Sequence, residues 1–299
     1  VAGKVVDRLD DKLDGDIHFE KIHLKPFTTL VLKKVAIIDR NPQKCAVDPL
    51  AEPVDTFFRA DYIIAKFTLD ELLEHSSPHF DKTYISNAQM NLVLEDDPVP
   101  GKGPTDNLSR IFGFEKGRQK KKSDKDIFLI HKVEIQNMGF QMRNHRAKKS
   151  PYHDAGINWN DLDVKNLNLN AIDLGFKAGI MSGSVNKLSF REKSGWACNN
   201  ISGDAKVGNG KTIIRNFKIS DKWSDLEFSQ FMMSYKNSRE FIDFENRVKL
   251  DADIASSTVD FRTLHYFAPK LEKNTINARI SGGISGYISD FEVKDLYLA

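Results

Sequence analysis

Short apolar runs with a period of two residues are the feature of this chain that most restricts its fold. Between Asp126 and Asp253 such runs recur at roughly 20–30-residue spacing, separated by Asn, Asp, Gly and Ser. Alternation of apolar and polar residues is typical of a half-buried strand, because successive side chains point to opposite faces. Asn209-Gly210 between two runs is a strong signal for a two-residue hairpin. We therefore expect a mainly β chain, an elongated and curled antiparallel sheet (taco-like or solenoid-like) rather than a closed barrel.

The amino-terminal region, residues 1–115, is predicted to begin with a helix and to continue as strands. Val5, Leu9 and Leu13 recur at helical spacing, and Gly15 stands where a helix C-cap belongs. The period then changes from helical spacing to two, which predicts strands separated by loops. Further short helices are predicted at residues 69–74, 108–112 and 264–267.

A charged segment, residues 116–125, is predicted to form a flexible basic loop. It contains no apolar residue, and it has no aromatic side chain that could stack on a base. A solvated loop is therefore favoured over a site for nucleic acid or lipid headgroups. This loop separates the amino-terminal region from a repetitive β-groove region, residues 126–299, which we expect to continue beyond the fragment.

The balance between strands and helices predicts an open apolar groove. About ten or more strands have one apolar face, and only three or four short helices are available to cover it. Either a second sheet packs on the first, or the sheet curls and leaves an apolar trough of the kind that binds a ligand or partner. The alternating positions expected to line this trough are Met90, Leu92, Leu94, Val133, Ile135, Leu167, Leu169, Val185, Leu188, Phe190, Phe217 and Ile219.

Charge and hydropathy exclude some classes of protein. The chain has 44 Lys plus Arg against 42 Asp plus Glu, and this near-neutral balance gives no reason to expect nucleic acid as a partner. No apolar run approaches the roughly 18–20 residues of a transmembrane helix, and charged residues after Val1 interrupt any signal-peptide core. A helical pattern begins directly at Val1, and a strand pattern runs up to Ala299. We therefore expect this chain to be a piece of a longer protein.

Motifs for catalysis or metal binding are weak. Residues 207–212 resemble the end of a P-loop, but Ala205 occupies the position of the first glycine and the context is a hairpin. His75 and His79 are four residues apart, with a proline between them and no Glu in the metalloprotease position. We therefore expect no enzyme activity, no cofactor and no metal.

The two cysteines, Cys45 and Cys198, are too few for a disulfide framework or a metal cluster. They lie far apart in sequence, and whether they pair depends on their geometry. Two free thiols are favoured over one disulfide.

Several segments, taken in order, resemble a known family. In the first half these are the helix ending in Leu13-Asp14-Gly15, then residues 17–19, 22–24, 30–37, 60–73, 85–92 and 105–108. They resemble the part of AsmA-like proteins that follows the membrane anchor. Residues 157–162, 188–195, 248–253, 259–264 and 266–269 resemble the TamB branch of that family found in Bacteroidota. The resemblance covers essentially the whole chain and rests on pattern and order, while the basic loop and both cysteines depart from it.

The resemblance implies a function as well as a fold. It implies a periplasmic body anchored in the inner membrane by a segment before Val1, and an outer-membrane partner protein bound through a missing C-terminal region. It also implies that phospholipid acyl chains travel along the groove, so that glycerophospholipids move between the inner and outer membranes.

Two other functions compete with a lipid conduit. One is a β-structured scaffold that assists outer-membrane protein assembly, with a sheet edge that pairs with client strands. The other is a carbohydrate-active or adhesive β-solenoid. That class usually displays carboxylates and aromatics together on one outward face, whereas Trp159, Trp196 and Trp223 are widely spaced.

Overall fold

A computed structural model gives the structure of the chain and describes most of its residues. The described ranges are 15–25, 28–40, 42, 55–67, 79–96, 104–111, 126–146, 156–236, 240, 244–268 and 274–299. Of these residues, 76% lie in strands and 7% in helices. The prediction of a mainly β chain with a few short helices is confirmed.

Fifteen strands and three short helices make up the described part of the chain. The strands are β1 Gly15–His18, β2 Lys21–Lys25, β3 Thr29–Asp39, β4 Thr56–Lys66, β5 His79–Asp96, β6 Pro104–Asp106, β7 Asp126–Asn144, β8 Asp161–Lys177, β9 Ile180–Glu192, β10 Ala197–Gly208, β11 Lys211–Ser220, β12 Asp225–Ser234, β13 Lys249–Asp260, β14 Asn277–Tyr287 and β15 Asp290–Leu298. The helices are α1 Asn107–Ile111, α2 Phe244–Arg247 and α3 Phe261–Phe267.

All fifteen strands belong to one open sheet. The main path runs β1-β3-β4-β5-β7-β8 and then in sequence order to β15, while β2 pairs with β3 and β6 pairs with β5. Within the described residues every pairing is antiparallel except that of β5 with β7, which is parallel. The sheet is therefore continuous across the segment 116–125, which itself lies outside the described residues.

Tight hairpins connect the long strands of the second half. Asn209 and Gly210 have φ values of 52° and 72°, as a type I′ turn requires, so the predicted hairpin between β10 and β11 is confirmed. Ala178 and Gly179, with φ values of 50° and 80°, form the equivalent turn between β8 and β9. Residues 207–212 therefore resemble a P-loop only because they contain the glycine of the Asn209-Gly210 hairpin turn.

Two of the four predicted helices are confirmed, and the other two lie outside the described residues. Helix α1 confirms the helix predicted at 108–112 as far as Ile111, and α3 confirms the one predicted at 264–267. Gly15, predicted as a helix C-cap, is the first residue of β1, while the helix predicted before it lies outside the described residues. The helix predicted at 69–74 also lies outside them.

Candidate apolar groove

A row of apolar side chains crosses ten neighbouring strands in register. Each member is paired with the next across a strand boundary, so all of them lie on the same face of the sheet. In order from β2 to β12 the row consists of Ile22, Leu32, Ile63, Ile85, Ile135, Leu169, Leu188, Ile201, Ile219 and Leu226. We call this the first apolar row, and at about 4.8 Å between strands it is roughly 43 Å long.

A second apolar row continues the same face to the last strand. It consists of Ala205, Ile214, Phe231, Ala252, Ile284 and Val293 on β10 to β15. Three aromatic rings join the two rows, because the centroid of Phe217 lies 5.3 Å from that of Phe228 and 5.7 Å from that of Phe231. The apolar face is therefore continuous from β2 to β15.

All twelve residues predicted to line a groove lie on this face. Ile135, Leu169, Leu188 and Ile219 belong to the first apolar row. The others lie two residues along a strand from one another or pair with apolar neighbours: Met90 with Phe58 and Phe140, Leu92 with Met142, Leu94 two residues after it, Val133 with Ala171, Leu167 with Met138, Val185 with Ala171, Phe190 with Cys198 and Phe217 with Phe228.

Sequence reasoning missed several members of the first apolar row, among them Ile63, Ile85, Ile201 and Leu226. Period-two alternation gives the face of each side chain within one strand but not the register between strands. For Ile201 the signal is weaker still, because β10 carries few large apolar residues and shows little alternation. The Asn209-Gly210 turn alone would place Ile201 opposite Lys218, because the register between β10 and β11 shifts by one residue between Ser202 and Asp204.

Side-chain exposure varies along the apolar face, and the groove candidate Val133 and the second-row residue Ala252 are buried. Every member of the first apolar row is partly exposed, neither buried nor fully open. The largest fully buried side chains are Ile111, Val248, Asn107 and Asp260, none of which belongs to either row. A buried cluster does exist where β4, β5 and β7 meet, formed by Ala60, Ala88 and Met138. Within the described part of the chain, lateral packing against neighbouring strands accounts for the intermediate exposure of the first apolar row.

Helix α1 is held at one end of the strands by buried polar contacts. The Asn107 side chain accepts a hydrogen bond from the Val93 amide at 2.9 Å and donates one to the Asn91 carbonyl at 2.9 Å. Arg110 forms ion pairs with Asp39 of β3 and Glu95 of β5, both of which are buried. These contacts fasten α1 to the edge of the sheet and away from the rows.

Helix α3 is fastened at the same ends of the strands by a network around Asp221. The Asp221 carboxylate accepts hydrogen bonds from Trp196 Nε1 at 3.1 Å and from Thr263 Oγ1 at 2.6 Å. The Trp196 ring packs edge-on against Phe190 and Phe267, at centroid distances of 5.4 and 4.9 Å. Phe190 therefore serves both the apolar face and the docking of α3.

The described residues hold no arrangement suited to metal binding. Within that part of the chain no group of three or more His, Cys, Asp or Glu side chains lies close enough to bind a metal ion. Cys198 is a buried free thiol, and Cys45 and His75 lie outside the described ranges. None of the described helices is long and apolar enough to cross a bilayer.

Comparison with known proteins adds no assignment: no protein-family model matches the chain, and no curated protein matches it. Within the described residues the molecule is an open β-sheet with one continuous apolar face, whose first apolar row is partly exposed.

Proposed function

We propose that this chain is a periplasmic segment of a lipid conduit that carries glycerophospholipids between the inner and outer membranes along its apolar face. The observation that supports it best is the first apolar row, which crosses ten strands without a polar interruption and stays partly exposed throughout. Its length of roughly 43 Å exceeds the roughly 30 Å hydrocarbon thickness of a bilayer.

The chemistry of the face suits acyl chains. Each methylene that leaves water for an apolar surface gains up to about 0.8 kcal/mol, and a row of Ile and Leu offers no hydrogen bond that would fix a ligand in one place. Such a surface binds a chain by contact area and lets it slide. A headgroup stays in water along the open side of the sheet, so no buried polar site is needed.

The cellular setting is part of the same proposal. A place in the periplasm, an inner-membrane anchor before Val1, and an outer-membrane partner protein bound through a C-terminal region all come from the resemblance to TamB and other AsmA-like proteins. The absence of enzyme activity, of a cofactor and of nucleic-acid binding is likewise proposed.

The alternative function is a β-structured scaffold that assists outer-membrane protein assembly. Its sheet edge would accept a strand from a client protein by β-augmentation.

Native mass spectrometry of the purified chain separates the two functions. A conduit retains bound phospholipid and does not bind strand peptides of outer-membrane proteins. A scaffold binds such peptides, and its bound fraction does not fall when phospholipid is added. Chain that purifies without any lipid, and takes up none from vesicles, would contradict the conduit.

A further inference from the structure

Seven residues inside the described strands adopt a left-handed backbone conformation that side chains other than glycine rarely adopt. They are Lys34, Asn87, Asn137, Asn166, Asp173, Asn216 and Asp295, with φ values between 49° and 54°. Asn and Asp tolerate this conformation best, and they account for six of the seven. A left-handed residue within a strand is typical of a β-bulge, which bends the strand and increases its twist.

Five of the strands are joined by a line of side-chain hydrogen bonds that includes three of these left-handed residues. Lys34 Nζ donates to Asp61 at 2.6 Å, and Asn87 Nδ2 donates to the other oxygen of Asp61 at 3.1 Å. Asn137 Nδ2 donates to Asn87 Oδ1 at 2.8 Å, and the Asn137 amide donates to Asn168 Oδ1 at 3.1 Å. We call these five residues on β3, β4, β5, β7 and β8 the polar ladder.

The polar ladder lies on the face opposite the apolar rows. Asn87, Asn137 and Asn168 are exposed, whereas their neighbours Ala88 and Met138 belong to the buried cluster on the apolar side. A similar but shorter line occurs farther along, where Asp204 of β10 accepts hydrogen bonds from Ser184 of β9 at 2.6 Å and from Asn216 of β11 at 3.0 Å.

The left-handed residues also explain how one apolar face survives a break in the period of two. On either side of Asn87, Ile85 and Ala88 are three residues apart yet pack in the same cluster. Ile135 and Met138 do the same around Asn137. The register of β5 with β4 and β7 is the same on both sides of Asn87, whereas that of β7 with β8 shifts by one residue after Ile135. The extra residue in each strand therefore lets the side chains on both sides keep facing the groove.

We infer that the polar ladder is a hinge that sets the angle between the two halves of the sheet, and so the width of the groove. Left-handed residues aligned on β3, β5 and β7 concentrate bending along one line, and the hydrogen bonds of the polar ladder hold those strands at a common angle. The inference goes beyond the proposed function, because it holds whatever the groove carries.

The test measures the bend directly across β4, whose midpoint is Asp61. Spin labels are attached at Asp55→Cys and Lys66→Cys, two exposed positions at opposite ends of β4, in a background of Cys45→Ser and Cys198→Ala. Pulsed electron spin resonance then gives the distribution of distances between the labels in the otherwise unchanged chain.

Three variants are compared with that parent. Asn87→Gly keeps the left-handed backbone accessible but removes the hydrogen bonds to Asp61 and Asn137. Asn87→Asp tolerates the same left-handed backbone, and its carboxylate still accepts the hydrogen bond from Asn137. It can no longer donate a hydrogen bond to Asp61. Ala178→Gly is the matched control, since Ala178 has a φ of 50° in a hairpin turn outside the ladder.

The hinge predicts a longer and broader distance distribution in both Asn87 variants and no change in Ala178→Gly. Near-ultraviolet circular dichroism checks folding, and if Asn87→Gly does not fold, Asn87→Asp decides. An unchanged distribution in a folded Asn87 variant would overturn the inference. So would unfolding of both variants, because the ladder would then be needed for folding rather than for the bend.

Discussion

Replacing Leu169 by Asp tests whether the apolar face is open. Leu169 lies in the first apolar row between Ile135 of β7 and Leu188 of β9, and its side chain is partly exposed. On an open face the new carboxylate reaches water. The cost is then limited to part of the roughly 1.5–3 kcal/mol of a buried Leu and to cross-strand contacts of roughly 0.2–1 kcal/mol each. We expect a loss of about 2 kcal/mol in the free energy of unfolding.

Two comparison variants set the range against which the loss of stability in Leu169→Asp is judged. Met138→Asp places a carboxylate in the buried cluster, where Met138 is 8% exposed, and should cost about 4 kcal/mol or more. Asn199→Asp makes a similar change of charge at an exposed position of β10 and should cost less than about 0.5 kcal/mol.

Urea denaturation at neutral pH measures all three variants, and the bound phospholipid is quantified in parallel. The open face predicts that Leu169→Asp stays folded and loses lipid, while Asn199→Asp keeps both fold and lipid. Leu92→Asp, on the same face in β5, should behave like Leu169→Asp. If Leu169→Asp is destabilised as strongly as Met138→Asp, the first apolar row is as closed as the buried cluster and the reasoning is refuted.

Two further predictions concern groups near the ends of the strands. Asp260 caps α3, and the hydrogen bond from the Arg262 side chain holds the pKa of Asp260 below its ordinary value. Its contribution is therefore present above the unfolded pKa of about 3.9 and is lost as pH falls through the lower folded value. We expect Asp260→Asn to cost about 1–2 kcal/mol between pH 5 and 8, with the difference shrinking below about pH 4 in urea titrations; a constant difference down to pH 2 would contradict this. Burial raises the pKa of the Cys198 thiol to about 12, so in a Cys45→Ser background it should react with a thiol reagent at pH 8 only on unfolding, and rapid labelling of the native protein would refute that expectation.

The fold could be predicted from the sequence because the period of two is a local signal. Each long strand shows alternation, and the Asn209-Gly210 turn fixes one hairpin by itself. The groove candidates also fell on one face, since alternation assigns faces within a strand. Strand β10 has few large apolar side chains and little alternation, so its extent and register follow from its pairing with β9 and β11.

The polar ladder could not be predicted from patterns within single strands. In the sequence, an Asn recurs between two apolar pairs, as at Asn137, Asn166 and Asn216. Its meaning, a left-handed bulge, depends on which side chains meet across strands. The parallel pairing of β5 with β7 brings Asn87 beside Asn137, and no pattern within either strand predicts that contact.

Photo-crosslinking from the first apolar row tests the central claim most directly. A photoreactive amino acid replaces either Leu188 in the first apolar row or Asn199, an exposed residue of β10. Each variant is then irradiated with labelled phospholipid vesicles. A lipid conduit predicts a phospholipid adduct at position 188 and none at position 199. Absence of a lipid adduct at position 188 in folded protein, or equal adducts at both positions, would contradict the account.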